Sequence, residues 1–153
     1  MRKSLLILIV LCAAAFAGTA FAQEHWTEGP VWSCSGYRTV PGKADDYLKY
    51  LRENFVATTA EAKAQGLILD SKVFTKMPAN AEDWDVMICN LHPSYGKALD
   101  YNPDADAKMK AIQAKHYKTT DEKQQDALTA KRFEMRTYLW TRTFREVNLR
   151  PIQ

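Results

Sequence analysis

Hydrophobic positions follow three different rhythms along this chain. From Ser4 to Phe16 they are nearly continuous. From Val31 to Val40, aromatic, β-branched and small residues mix and then stop at Pro41-Gly42, which predicts a first strand ended by a turn. From Lys43 to Gln65 the spacing becomes helical. Tyr47, Leu48, Leu51, Phe55 and Ala62 form one side, and Asp45, Lys49, Arg52, Glu53, Glu61 and Lys63 occupy much of the other. Gly66 follows where a left-handed residue would end the helix.

The strand rhythm then returns. Leu67 to Lys76 predicts a second strand, stopped by Met77-Pro78-Ala79-Asn80. Trp84 to Leu91 predicts a third, with Trp84, Val86 and Ile88 on one face and Met87, Cys89 and Leu91 on the other. Apolar residues on both faces predict a central strand covered on both sides. His92 to Asn102 reads as a loop. Asn102-Pro103 supplies a cap and a first-turn proline for a short helix whose stripe is Ala105, Met109, Ile112 and His116. Thr119 and Glu122 make a capping-box pattern for a helix over Thr120 to Met135, and Tyr138 to Leu149 predicts a long last strand.

Strand, helix, strand, strand, helices, strand is the order of a split βαββαβ chain. Right-handed crossovers turn that order into a ferredoxin-like α+β fold, a four-stranded antiparallel sheet with helices on one face and the first and third strands central. The other sheet face is left uncovered although its residues are partly apolar. A second copy of the chain, sheet against sheet, is the simplest cover, so a homodimer is expected.

The continuous apolar run changes the reading of everything after it. Arg2 and Lys3 precede it and Ala20-Phe21-Ala22 follows, the three parts of a signal peptide cleaved after Ala22. The run from Leu5 to Ala17 is short for a retained span, which needs roughly 20 residues. Leu11 before Cys12 is too bulky for lipoprotein processing. The expected partition is a signal peptide at 1–22, a flexible segment at 23–30 and one domain at 31–153. A periplasmic or secreted protein with no membrane anchor is expected.

Loss of the leader removes Arg2 and Lys3 and no acid, lowering the formal charge from +3 to +1. That balance offers no basic face for nucleic acid. Of three cysteines, Cys12 leaves with the leader; Cys34 and Cys89 remain. An even pair in an oxidising compartment forms either a disulfide or two buried thiols, and spacing does not choose between them.

The residues Tyr37-Arg38-Thr39-Val40-Pro41-Gly42-Lys43 with Tyr47-Leu48, the Trp84-Asp85-Val86 strand and the terminal Phe144-Arg145-Glu146-Val147 strand carry a resemblance. Together they resemble the dimeric α+β barrel superfamily, with its NIPSNAP-like, EthD-like and antibiotic-biosynthesis-monooxygenase-like members. The resemblance covers most of the mature chain. It implies sheet-to-sheet dimers and permits two further functions, a cofactor-independent monooxygenase acting on an aromatic substrate and a haem-binding protein. It carries no catalytic residue to a position in this chain.

Candidate chemistry is therefore read residue by residue. His92 directly follows the third strand, and His116 lies on a helical stripe; each is a weak candidate for a proton-handling group, beside the reading of a surface or core histidine. Trp32, Trp84 and Trp140 fall on predicted strands and are candidates to line one cavity between sheet and helices, beside the reading of ordinary core or interface aromatics. Arg142, with Arg38 and Arg145, is a candidate anchor for an acidic ligand, beside simple pairing with Asp85 or Glu146. His25 carries no role. Scattered histidines without paired spacing predict no metal site, and no cofactor is expected, haem being the one named exception. The leading function is binding of a small apolar or aromatic molecule.

Overall fold

The structure is a computed structural model that describes residues 25–152; the predicted leader, with Cys12 and the cleavage site, lies outside them. Four strands, β1 (Trp26–Thr39), β2 (Asp70–Thr75), β3 (Val86–His92) and β4 (Arg136–Leu149), form one sheet in the order β2-β3-β1-β4. β3 pairs antiparallel with both β1 and β2. This is the ferredoxin-like α+β arrangement, with the first and third strands central.

β1 begins earlier than its apolar pattern suggests, so Trp26–Pro30 is strand and not a flexible lead-in. Pairing with β3 starts only at Val31. Pro30, which has no N–H to donate, therefore stands where the strand has no β3 neighbour. Gly29 lies so close to β4 that a Cβ there would sit 2.9 Å from that of Glu146. The chain divides into two compact units. Gly29–Glu146 holds the helices and most of the sheet; in the other, the Arg150 amide donates to the His25 carbonyl at 2.8 Å.

Pro41-Gly42 makes the expected turn, with Gly42 at φ 80° and the Lys43 amide donating to the Val40 carbonyl at 2.8 Å. The predicted long helix forms in three segments: α1 (Ala44–Tyr50), a π-helical turn (Leu51–Phe55) and α2 (Val56–Ala64). Gly66 closes it at φ 71°. Leu67 and Ile68 then leave the strand pattern and pack with Ala62, Met109 and Ile112. The predicted loop after β3 holds a short helix, α3 (Tyr95–Leu99), capped by Ser94.

α4 (Pro103–Tyr117) starts as its sequence predicts, the Asn102 side chain accepting from the Ala105 amide at 2.9 Å. α5 (Glu122–Met135) differs. Its cap is Asp121, which accepts from the Lys123 and Gln124 amides, because Lys118 takes a left-handed conformation and draws Thr119 into the connection. α5 has no loop after it. Arg136 is both its C-cap and the first residue of β4.

Two apolar clusters form the core, the first between helices and sheet and the second between α2, α4 and the Leu67–Ile68 segment. Tyr47, Leu51 and Val86 gather Tyr50, Phe55, Ile88 and Met135 around them. Ala62, Ile68 and Ile112 form the second. Among the described residues no helix is long and apolar enough to cross a membrane.

Candidate functional site

Between the two clusters lies a cavity of about 300 Å³, at the lower end of the roughly 300–1,000 Å³ of ligand pockets. Alternation along the strands supplies its floor: Ser33, Ser35 and Tyr37 from β1, Ile88 and Asn90 from β3. Its walls are the aromatic and apolar faces of the helices, including Tyr47, Tyr50, Phe55, Met109 and Tyr117. Arg132 and Arg136 complete it where α5 runs into β4.

The π turn shapes one wall. An extra residue in a helical turn displaces carbonyls from the regular ladder, and nearby side chains take them up. Asn54 donates to the Tyr50 carbonyl at 2.9 Å, and Thr58 to the carbonyls of Asn54 and Phe55, both at 2.9 Å. Thr59 donates to the Phe55 carbonyl at 2.7 Å. Asn54, Thr58 and Thr59 all line the cavity. The Asn54 side-chain N–H and both threonine hydroxyls are turned to the backbone, so the threonines present their methyl groups on this wall.

The arginine end is different in kind. Arg136 is only 7% exposed. Its guanidinium lies 3.4 Å from the centre of the Tyr37 ring and 5.0 Å from that of Tyr47. Its Nε and Nη1 groups are buried without a hydrogen-bond partner, as is Nε of Arg132. No ion pair joins either arginine to a carboxylate among the described residues. Cation–π contact contributes about 0.5–2 kcal/mol. Withdrawing a charge from water costs several kcal/mol, and each unpaired buried donor about 1–3 more. The rings alone do not offset that.

Both neighbouring phenols stay neutral. Burial raises the Tyr47 hydroxyl to about 12 although Arg136 pulls it down. Tyr50 is likewise raised to about 12, by burial first and by the adjacent Tyr117 hydroxyl second. Neither is an anion that could answer the guanidinium at neutral pH.

None of the residues singled out from sequence lines this cavity. Trp32, Trp84, Trp140 and Arg142 are on the opposite, uncovered face of the sheet; Trp84 precedes β3 and is not part of it, and it does not share the face of Val86 and Ile88 that its spacing predicts. There the Trp140 ring lies against Gly36, where a Cβ would come within 2.6 Å of it, and meets Trp84 edge-on at 6.5 Å. Lys72 lies over Trp32, Lys76 over Trp84 and Arg142 over Trp140, at 5.1, 4.7 and 4.9 Å. The indole N–H of Trp32 donates to Glu146 at 2.5 Å. Arg38 pairs with Asp85 at 3.9 Å. Cys34 and Cys89, directly opposite on β1 and β3, are joined in a disulfide on this same face.

His116 reaches Glu61 at 2.9 Å, beside Lys115, and ties α4 to α2 away from the cavity. His92 ends β3 with its Nδ1 buried and unpartnered, and burial lowers its pKa from the ordinary 6.5. No group of three or more metal-ligating side chains gathers among the described residues.

No protein family, curated protein or solved structure matches this chain. The cavity is thus read from its own chemistry, and its most distinctive member, Arg136, is one that pattern reading passed over. An arginine closing a helix looks like an ordinary partner of the helix dipole. The one available signal was Arg132 and Arg136 at i, i+4 beside an aromatic strand.

Proposed function

We propose that this protein binds a small, mostly aromatic or apolar molecule in the helix–sheet cavity and acts outside the cytoplasm. The observation that carries the reading is the cavity itself, which lies between two packed clusters and combines aromatic walls with polar groups on its floor and two arginines at one end. The leader pattern and the Cys34–Cys89 disulfide support the oxidising location. A catalytic reading would need a proton-handling group at the cavity, and neither His92 nor His116 lines it.

The test is a titration of the mature protein with N-phenylnaphthylamine, a neutral aromatic probe that fluoresces when buried. Saturable binding is expected. Ser33→Phe, which fills the floor with a ring, is expected to abolish it while the protein keeps its circular dichroism. Absence of saturable binding to the unmodified protein would overturn the reading.

A further inference from the structure

The buried cation in the cavity wall has no carboxylate partner among the described residues, and its Nε and Nη1 make no hydrogen bond. Arg136 is more than nine-tenths buried and forms part of the wall. Three nearby acids are engaged elsewhere, Glu61 with Lys115 and His116, Asp85 with Arg38 and Thr39, and Asp46 with Lys43, and no carboxylate of the described residues forms an ion pair with Arg136. Tyr47 presents a buried hydroxyl toward the guanidinium, and its raised pKa keeps it a neutral hydrogen-bonding group. Arg132 adds a second positive charge to the same wall. A fixed buried cation of this kind is what recognition of a carboxylate requires, because the planar guanidinium offers several N–H groups with no carboxylate of the protein competing for them.

We infer that the ligand is a small organic anion, an aromatic body lying among the tyrosines with its carboxylate against Arg136. This rests on the binding function proposed above and narrows it to one charge class. The rings of Tyr37, Tyr47 and Tyr50 take the body of the molecule, and the floor hydroxyls of Ser33 and Ser35 lie across the cavity. Arg132 contributes longer-range attraction and assists entry.

The test compares two ligands of one shape, naphthylacetate and naphthylacetamide, by calorimetric titration of the mature protein at neutral pH. The carboxylate is expected to bind at least about tenfold tighter, the increment of one charge-assisted hydrogen-bonded contact. Arg136→Met is expected to weaken the carboxylate at least about tenfold more than the amide, bringing the two ligands to similar affinity. A purely structural arginine would weaken both ligands together, and that result would overturn the inference. If Arg136→Met does not fold, Arg132→Gln replaces it, with a smaller loss again confined to the carboxylate. Equal binding of the two ligands by the unmodified protein overturns the anion inference while the cavity reading stands. Failure of both ligands with N-phenylnaphthylamine still bound does the same. Failure of all three overturns the cavity reading itself.

Discussion

The two faces of the sheet solve opposite problems with similar residues. On the uncovered face, three indole rings lie under Lys72, Lys76 and Arg142, and Arg38 meets Asp85. Long cationic side chains lay their stems on the rings while their charged ends stay in water. On the helix side, the Arg136 guanidinium rests on Tyr37 and Tyr47 with almost no access to water and no carboxylate partner. The same cation–aromatic contact shields a surface in one place and leaves a charge stranded in the other. The stranded charge beside the cavity is what the proposed anion binding rests on; the solvated charges over rings carry no such proposal.

The difference can be broken most forcefully at the disulfide, the covalent tie of the uncovered face. Cys34 and Cys89 are separated by 55 residues, and closing a loop of that length stabilises by about 4 kcal/mol in the chain-entropy account. Cys34→Ala with Cys89→Ala is expected to lower stability by an amount of that order in urea unfolding. Binding in the cavity is expected to survive wherever the variant remains folded, since neither cysteine lines it.

Arg136→Met acts in the reverse direction. Replacing a buried, unpaired cation by an apolar side chain of similar length is expected to stabilise the free protein, by about 1–4 kcal/mol if it behaves as other buried charges do. The readout is the urea midpoint without ligand. A midpoint that falls would mean that the Tyr37 and Tyr47 contacts outweigh the desolvation, and the two faces would then be energetically alike.

Gly36→Ala is next in size. Its Cβ would approach the Trp140 ring to 2.6 Å, so the ring must move away from the sheet, with an overpacking cost of about 1–3 kcal/mol. Thermal unfolding checks the loss, and the ellipticity of the Trp84–Trp140 pair in the near ultraviolet is expected to change with it.

These contrasts also show what the sequence made legible. The order of elements and the central place of β1 and β3 could be read because strand alternation, Pro41-Gly42, Gly66 and Asn102-Pro103 each act locally. The π turn could not, since Leu51–Phe55 keeps helical composition and its extra residue is absorbed by hydrogen bonds from Asn54, Thr58 and Thr59. Trp32 and Trp140 could be placed on strands but not on a face of the finished sheet, and Trp84 lies just ahead of β3. Trp32 and Trp140 fall on the uncovered side through the register of β1 with its neighbours, a long-range property. Arg136 escaped because its meaning depends on which acids are absent around it, and that is visible only after folding.

The uncovered face has a smaller test of its own. Lys72→Ala, Lys76→Ala and Arg142→Ala are each expected to cost up to about 1 kcal/mol, the range of exposed cation–π contacts. Pairing of two copies through this face, the homodimer expected from the sequence, would bury those three cations, so removing them together is expected to strengthen it. Light scattering at micromolar concentration reads the mass directly. The mass of a single chain, both with and without the three substitutions, would remove the homodimer.

The last contrast is a slope with pH. By the two-residue period of β3, His92 lies on the helix side with Ile88 and Asn90, where its Nδ1 is buried and unpartnered. Burial lowers its folded-state pKa below the unfolded value of 6.5. At pH values between the two, the unfolded chain binds a proton that the folded chain does not. Stability is therefore complete above pH 6.5 and is lost as pH falls through that point toward the folded value. His92→Asn is expected to flatten this limb of a urea-midpoint profile. Carboxylate binding at neutral pH is expected to remain, because the imidazole is neutral there and lies outside the cavity lining. A substitution that removed binding as well would bring His92 to the site and reopen the proton-handling role. Binding that persists leaves His92 outside the proposed site and keeps the proposed carboxylate contact with Arg136 and its tyrosines.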